Sequence, residues 1–200
     1  MSRRILVVVG HPDPSPDRLC RGLAQAYAEG AKQAGHVVRQ IDLAALDFSM
    51  LRTMQEFEHG AIPDSLKDAA GAIVWSEHIV FVFPLWLGTM PALLKAFLEQ
   101  VMRPGTAFAY PDRGKGFTKA LLRGRSARLV VTMGMPSLLF QLWFLGHGIL
   151  ACGEAYSILS ASLRCARPCS ARSRAPARRR VRNGSDKCAS SVGGPDSRLE

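Results

Sequence analysis

Three short stretches hold most of the side chains and backbone groups able to do chemistry, and each directly follows an apolar run. The first is Gly10-His11-Pro12-Asp13-Pro14-Ser15-Pro16-Asp17-Arg18, leading into a helix that includes Leu19 and Cys20. Free N–H groups and the positive dipole end at a helix start favour an anion such as phosphate. Ser15 can add a hydroxyl donor, and Arg18 or His11 can add charge. A proline-stiffened turn capped by Asp17 explains the same residues equally well. The second stretch, Pro84-Leu85-Trp86-Leu87-Gly88-Thr89-Met90-Pro91, is rich in large apolar side chains where a solvated loop is normally polar. Either a flat aromatic ligand lies on it, or Trp86 and Leu87 cap the core. The third, Thr132-Met133-Gly134-Met135-Pro136, has a glycine that permits close backbone approach to a ring. It opens an apolar segment ending at Gly146-His147-Gly148, where His147 is either a structural residue or a group that stabilises a developing anion. No G-x-G-x-x-G follows the first apolar run and no G-x-x-x-x-G-K-S/T occurs, which excludes the standard dinucleotide and P-loop fingerprints.

The elements that position these loops alternate between strand and helix. Ile5-Leu6-Val7-Val8-Val9, Ile79-Val80-Phe81-Val82-Phe83 and Arg128 to Thr132 are short, apolar runs of the kind buried on both faces of a parallel sheet. The second is expected to stop at Pro84, which cannot donate to a ladder. His36 to Leu43 reads as a more polar strand. Helical spacing predicts helices over about 16–34, with Gly35 as the stop, over 64–76 with Asp64 as N-cap, and over 91–102 with Pro91 at its start. A short helix is expected near Thr53 to Glu58, where Met50, Met54 and Phe57 serve either as core or as a pocket lid. Residues 103–118 read as a loop containing Phe108, Tyr110 and Phe117. This alternation predicts an α/β, doubly wound parallel sheet, with ligands in the crevice beyond the carboxyl ends of its strands. The candidate for a fifth strand is Ala155 to Leu163.

Composition separates a body from a tail. Residues 1–150 carry 16 basic and 12 acidic side chains, while residues 151–200 carry 10 and 4, so the tail supplies +6 of the +10 net charge. The body's charge therefore gives no sign of a nucleic-acid partner. Residues 164–200, rich in Arg, Ser, Ala, Pro and Gly, lack the large apolar side chains of a core and read as disordered. Cys20 stands alone in the body, and Cys152, Cys165, Cys169 and Cys188 fall in the tail at spacings that suit neither a disulfide framework nor a zinc site. The N-terminus lacks the pattern of a signal peptide, so a cytoplasmic protein is expected. No Asp, Glu, Lys or Arg occurs from Leu129 to Gly153, a span of membrane length, but Gly134, Pro136, Gln141, Gly146, His147 and Gly148 divide it, and no membrane insertion is expected.

Three of these segments together, Ile5 to Pro14, Val82 to Phe97 and Val131 to Gly134, resemble the flavodoxin-like NAD(P)H dehydrogenases, or quinone reductases. The resemblance covers about residues 3–148. It implies a flavodoxin-like sheet of order 2-1-3-4-5, bound FMN or FAD, NADH or NADPH as reductant, a quinone or similar small-molecule acceptor, and a homodimer. By position it assigns the flavin phosphate side to His11, Ser15, Arg18, Leu19 and Cys20, and ring contacts to Pro84, Leu85, Trp86, Leu87 and Gly88. Thr132, Met133 and Gly134 complete the pocket, with His147 as the proton-stabilising candidate. A flavin-binding regulatory subunit, similar to those of potassium efflux systems, would share the three loops. A truncated, non-catalytic chain with a polyanion-binding tail is a further alternative. The chain departs from the family in reading Arg18-Leu19-Cys20 where many relatives have Ser-Phe-Asn, and Phe140 where a tyrosine is expected. A phenylalanine cannot donate a hydrogen bond. Beyond about Gly148 the resemblance stops, and the Arg, Ser, Ala and Cys bias resembles a GC-rich gene translated in a shifted frame.

Overall fold

The structure, a computed structural model, describes residues 2–110 and 119–134. Four parallel strands form its sheet: β1 (Arg4–Val9), β2 (Val37–Asp42), β3 (His78–Pro84) and β6 (Ser126–Thr132), in the order β2-β1-β3-β6. Two-residue strands β4 (Phe108–Ala109) and β5 (Lys119–Ala120) pair antiparallel outside this sheet. The fourth long strand is therefore the sixth in chain order, and the expected 2-1-3-4 succession holds. The fifth-strand candidate and the whole tail lie outside the described residues.

The uninterrupted apolar runs resolve into two alternating faces, as the period of two requires. Ile5, Val7, Val9, Val80, Val82 and Val130 pack against α1 (Leu19–Gln33), which contributes Cys20, Leu23, Ala24, Tyr27, Ala28 and Ala31. Leu6, Val8, Ile79, Phe81, Phe83, Leu129 and Val131 face α3 (Asp64–Trp75) and α4 (Ala92–Val101), which bring Leu66, Ile73, Leu94, Phe97 and Val101. Both faces of the central strands are dry, which is why their sequence shows no polar alternation. The chain leaves β1 toward β2 through α1 on one face, then crosses to β3 on the other side of β1 through α3. The connections thus reverse direction between β1 and β3, and a crevice opens at the carboxyl ends of those strands.

Local details adjust several expectations. Position 63 holds Pro63 as the N-cap of α3, and Asp64 is the first helical residue; its carboxylate meets Lys67 Nζ at 2.6 Å instead of capping the backbone. α1 begins at Leu19 with Arg18 in the cap position and no side-chain cap, so Asp17 does not cap it. β3 runs through Pro84, opposite Thr132, because the next ladder bond is donated by the Leu85 N–H to the Thr132 carbonyl at 2.8 Å. α2 (Met54–His59) forms as expected, with the Thr53 hydroxyl accepting from Glu56 N–H at 3.1 Å. Met50 and Met54 are exposed, and Phe57 sits against Phe108 with ring centroids 6.4 Å apart, so this segment is not core. Among the described residues no helix is long and apolar enough to cross a membrane.

Candidate functional site

The loops after β1, β3 and β6 emerge at one rim of the sheet. Gly10 N–H donates to the Val82 carbonyl at 2.8 Å, which ties the first loop to the end of β3. A Cβ at Gly10 would lie 2.9 Å from Leu94 Cδ2 and 3.1 Å from Phe83 Cβ, so only glycine lets the strand end settle this close to α4.

The first loop is organised around Asp13. Its carboxylate accepts from Ser15 N–H at 2.8 Å and from Arg18 Nε at 2.8 Å, with a second bond from the Arg18 Nη2. The Ser15 amide and then Arg18 hold this carboxyl below the usual carboxylate range. Asp13 N–H donates to His11 Nδ1 at 3.1 Å, which assigns the ring proton of neutral His11 to Nε2. Burial and the nearby Arg18 push the His11 pKa down from its ordinary value, so the ring is neutral at neutral pH and offers an N–H donor rather than a charge. One turn into α1, Arg21 spans Asp42 at the end of β2, with Nη2 3.1 Å from Asp42 Oδ1 and from the Asp13 carbonyl. The first turn of α1 contains no acidic side chain, and the amides of Leu19 and Cys20 find no backbone acceptor among the described residues. These donors, with half-exposed Arg18 beside them, suit an anion.

Cys20 contributes differently from its neighbours. Its thiol is buried 3.2 Å from the Thr132 hydroxyl, and burial pushes its pKa up to about 11. It is a protonated packing group that joins the start of α1 to the exit of β6, not a nucleophile. Any contact of Cys20 with a ligand must come from its backbone N–H. Met133 likewise sends its side chain into the core, leaving its backbone for the rim, whereas Gly134 is exposed with nothing within 4 Å of an added Cβ.

The second loop is a two-residue hairpin. Trp86 and Thr89 exchange both backbone hydrogen bonds at 3.0 Å, and the two residues between them have positive φ, +49° at Leu87 and +81° at Gly88. That is the type I′ arrangement, for which Asn-Gly is the preferred pair. Leu87 pays a steric cost of about 1 kcal/mol in this conformation and its side chain is fully exposed. Trp86 is 47% exposed, with its ring centroid 6.0 Å from that of His11 in an edge-on contact. Neither side chain caps the core; Leu85 does, packing with Met90 against the α3 and α4 face. Replacing Leu87 with Asn is expected to stabilise the protein by about 1 kcal/mol, seen as a higher urea midpoint. An unchanged or lower midpoint would show that the turn is not strained.

The structure thus brings His11, Ser15, Arg18, Leu19 and Cys20 to the rim that also carries Pro84 to Gly88 and Thr132 to Gly134. His147 and Phe140 lie outside the described residues. Sequence reading missed the pairing of Arg18 with Asp13 and of Arg21 with Asp42; the latter is 21 positions away and only the sheet brings the two together. Among the described residues no group of His, Cys, Asp and Glu could hold a metal ion.

The profile of the family described as having the flavodoxin-like fold matches residues 3–148. A ribosyldihydronicotinamide dehydrogenase-like protein from Penicillium crustosum is 23% identical over 155 residues, covering 66% of this chain and 57% of that protein. The FMN-dependent NADH:quinone oxidoreductase of Ruegeria pomeroyi is 29% identical over 150 residues, covering 67% of this chain and 72% of that one. Among solved structures, an FMN-dependent NADH-azoreductase from Bacillus anthracis in complex with FMN superposes with a TM-score of 0.70 at 14% identity, covering 95% and 97% of the two chains. The match spans less than two thirds of the Penicillium protein and of a Haemophilus influenzae NAD(P)H oxidoreductase.

Proposed function

The chain belongs to the flavodoxin-like fold family, and from that premise we propose that it is a flavin-dependent NAD(P)H oxidoreductase that reduces a quinone or similar acceptor. The single observation that carries this reading is the donor-rich, acid-free start of α1 on the same rim as the half-exposed Trp86. An anion subsite and a flat apolar subsite are what a phosphorylated, planar cofactor requires. The relatives' names agree, since the Ruegeria protein is an FMN-dependent NADH:quinone oxidoreductase and the Bacillus structure holds FMN. FMN is accordingly the cofactor of choice over FAD, with NADH or NADPH as reductant. The reading includes a homodimer in the cytoplasm.

When bound, the flavin supplies the hydride chemistry, and the protein supplies position and electrostatics. In this arrangement the Leu19 and Cys20 amides, the Ser15 hydroxyl and the Arg18 guanidinium would hold the phosphate. The backbone of Pro84 to Gly88 and the Trp86 ring would hold the isoalloxazine, and the backbone of Thr132 to Gly134 would complete the pocket. His11 Nε2–H, held by the Asp13 amide on its other nitrogen, is a fixed donor at the same rim. His147 remains the proposed group for stabilising developing negative charge. No ionisable side chain is needed for hydride transfer itself, so the buried, protonated Cys20 is no obstacle.

The test is the visible spectrum of the purified full chain after incubation with FMN and gel filtration, followed by turnover of NADH or NADPH with menadione. Retained flavin absorption and turnover well above that of free FMN are the expected results. A colourless protein that retains no FMN overturns the proposal, and retained flavin without turnover overturns its catalytic part.

A further inference from the structure

The anion donors of the first loop are not idle. Ser15 N–H and two nitrogens of Arg18 are all directed at the Asp13 carboxylate. Arg21, the other basic side chain of the α1 start, is held by both oxygens of Asp42 and by the Asp13 carbonyl, and its side chain is largely buried. It is a fixed strut between α1, β2 and the loop. Arg18 differs in both respects: among the described residues its ion-pair partner is Asp13, in the loop itself, and half its side chain is in water. An exposed pair of this kind is weak and exchanges readily. Arg18 is also the cap residue of α1, adjacent to the amides of Leu19 and Cys20 that lack backbone acceptors among the described residues.

We propose that Asp13 is an internal competitor for the cofactor phosphate: in the absence of cofactor its carboxylate occupies Arg18, and an arriving phosphate monoester takes Arg18 over by displacing it. This rests on the reading of α1 as the phosphate end of a flavin site. The exchange needs no covalent chemistry, because one oxyanion replaces another on the same guanidinium. A phosphate monoester near neutral pH carries more negative charge and one more acceptor oxygen than a carboxylate, so it wins the exchange while losing part of its binding free energy to it. Asp13 therefore sets how strongly phosphorylated and unphosphorylated flavins are distinguished. The Ser15 amide keeps the loop in its turn as the exchange occurs, since an Asx-type turn requires only one acceptor oxygen.

The experiment compares FMN with riboflavin, which lacks the phosphate, by quenching of flavin fluorescence in the full chain and in Asp13→Asn, Asp13→Ser, Asp17→Asn and Arg18→Gln. Asn and Ser retain an acceptor for the turn, and circular dichroism identifies any variant that does not fold. Asp13→Asn is expected to tighten FMN about fivefold, the scale of one exposed ion pair, with riboflavin unchanged and Asp13→Ser following the same direction. Asp17 is an exposed carboxylate in the same loop without a bond to Arg18, so Asp17→Asn measures plain through-space repulsion and should change FMN binding much less. In the Arg18→Gln background the Asp13 substitution should have no effect. Equal gains in Asp13→Asn and Asp17→Asn, or a gain that survives in Arg18→Gln, overturn the competitor role while leaving the flavin site standing. If neither FMN nor riboflavin binds the wild-type chain, the flavin site fails and the competitor role with it.

Discussion

Replacing Arg103 with Leu destabilises the protein by about 2–4 kcal/mol, the scale of leaving two acceptors without their donor. Arg103 follows α4 and is only 5% exposed. Its Nη1 donates to the Glu56 carbonyl at 2.9 Å and the Ala61 carbonyl at 3.1 Å, and its Nη2 bonds Gln100 Oε1. Gln100 in turn donates through Nε2 to the Ser49 carbonyl at 2.6 Å. The long connection between β2 and α3 is thus tied to the end of α4 by one guanidinium and one amide, beside the apolar contact of Phe48 with Phe97, ring centroids 6.3 Å apart. Leucine leaves the Ala61 carbonyl and Gln100 Oε1 without this donor, each loss worth about 1–3 kcal/mol when buried, while the Glu56 carbonyl keeps the Gly60 N–H at 3.0 Å. The space is also tight, since a Cβ at Gly60 would come within 2.8 Å of Arg103 Nη1. Urea unfolding should show the midpoint fall, and limited proteolysis should cut first within residues 49–62. A midpoint equal to that of the wild type would mean that these carbonyls are satisfied by water and that the network is incidental.

The second large effect is on acid stability. His78, at the start of β3, has its pKa pushed down to about 4, first by burial and then by Arg128, Arg3 and His36. Among the described residues its ring nitrogens meet hydroxyls and no carboxylate: Ser126 Oγ lies 2.7 Å from Nδ1 and Tyr27 Oη 3.3 Å from Nε2. Above pH 6.5 the ring is neutral in both folded and unfolded chains, and its full contribution is present. As the pH falls from 6.5 to about 4 the unfolded chain takes up a proton that the folded chain refuses, so stability declines. The total loss is on the order of 3 kcal/mol, at up to about 1.4 kcal/mol per pH unit. His78→Gln should flatten this slope. His11 titrates in the same direction, which is why the wild type and the variant must be compared at each pH. Parallel stability curves for the two proteins between pH 6.5 and 4.5 would refute the assignment.

How much of this was readable from the sequence depends on the range of the interaction. Ile5 to Val9 and Ile79 to Phe83 are apolar at every position, so strand character and burial were evident locally, and with them the sheet and the rim where the loops gather. The same uniformity concealed which residues face α1 and which face α4, because both faces are buried and periodicity carries no information there. Asp64 was misread as a cap because the preceding proline can occupy that position without an N–H to satisfy. The loops of the candidate site were legible as segments, but their internal wiring was not. Leu87 adopts a conformation that its residue type disfavours, and Cys20 meets Thr132 across 112 positions. Arg103 looked like a loop cation, since nothing near it in sequence announces carbonyls 42 and 47 residues away.

The two sides of the sheet are cushioned unequally. On the α3 and α4 side, α3 also sets Ala69, Ala70 and Ala72 into the core, but the strands bring Phe81 and Phe83 against Phe97 of α4, bulky groups that can re-pivot to absorb a neighbour's change. Beneath α1, much of the spacer is Ala24, Ala28 and Ala31, all fully or almost fully enclosed, and a methyl group has no rotamer to yield. Any enlargement there acts as a jack under a rigid rod. It lifts α1 from the strands and tilts its leading amides away from the rim, so a mutation three turns from the first loop would blunt anion capture without touching a single polar atom.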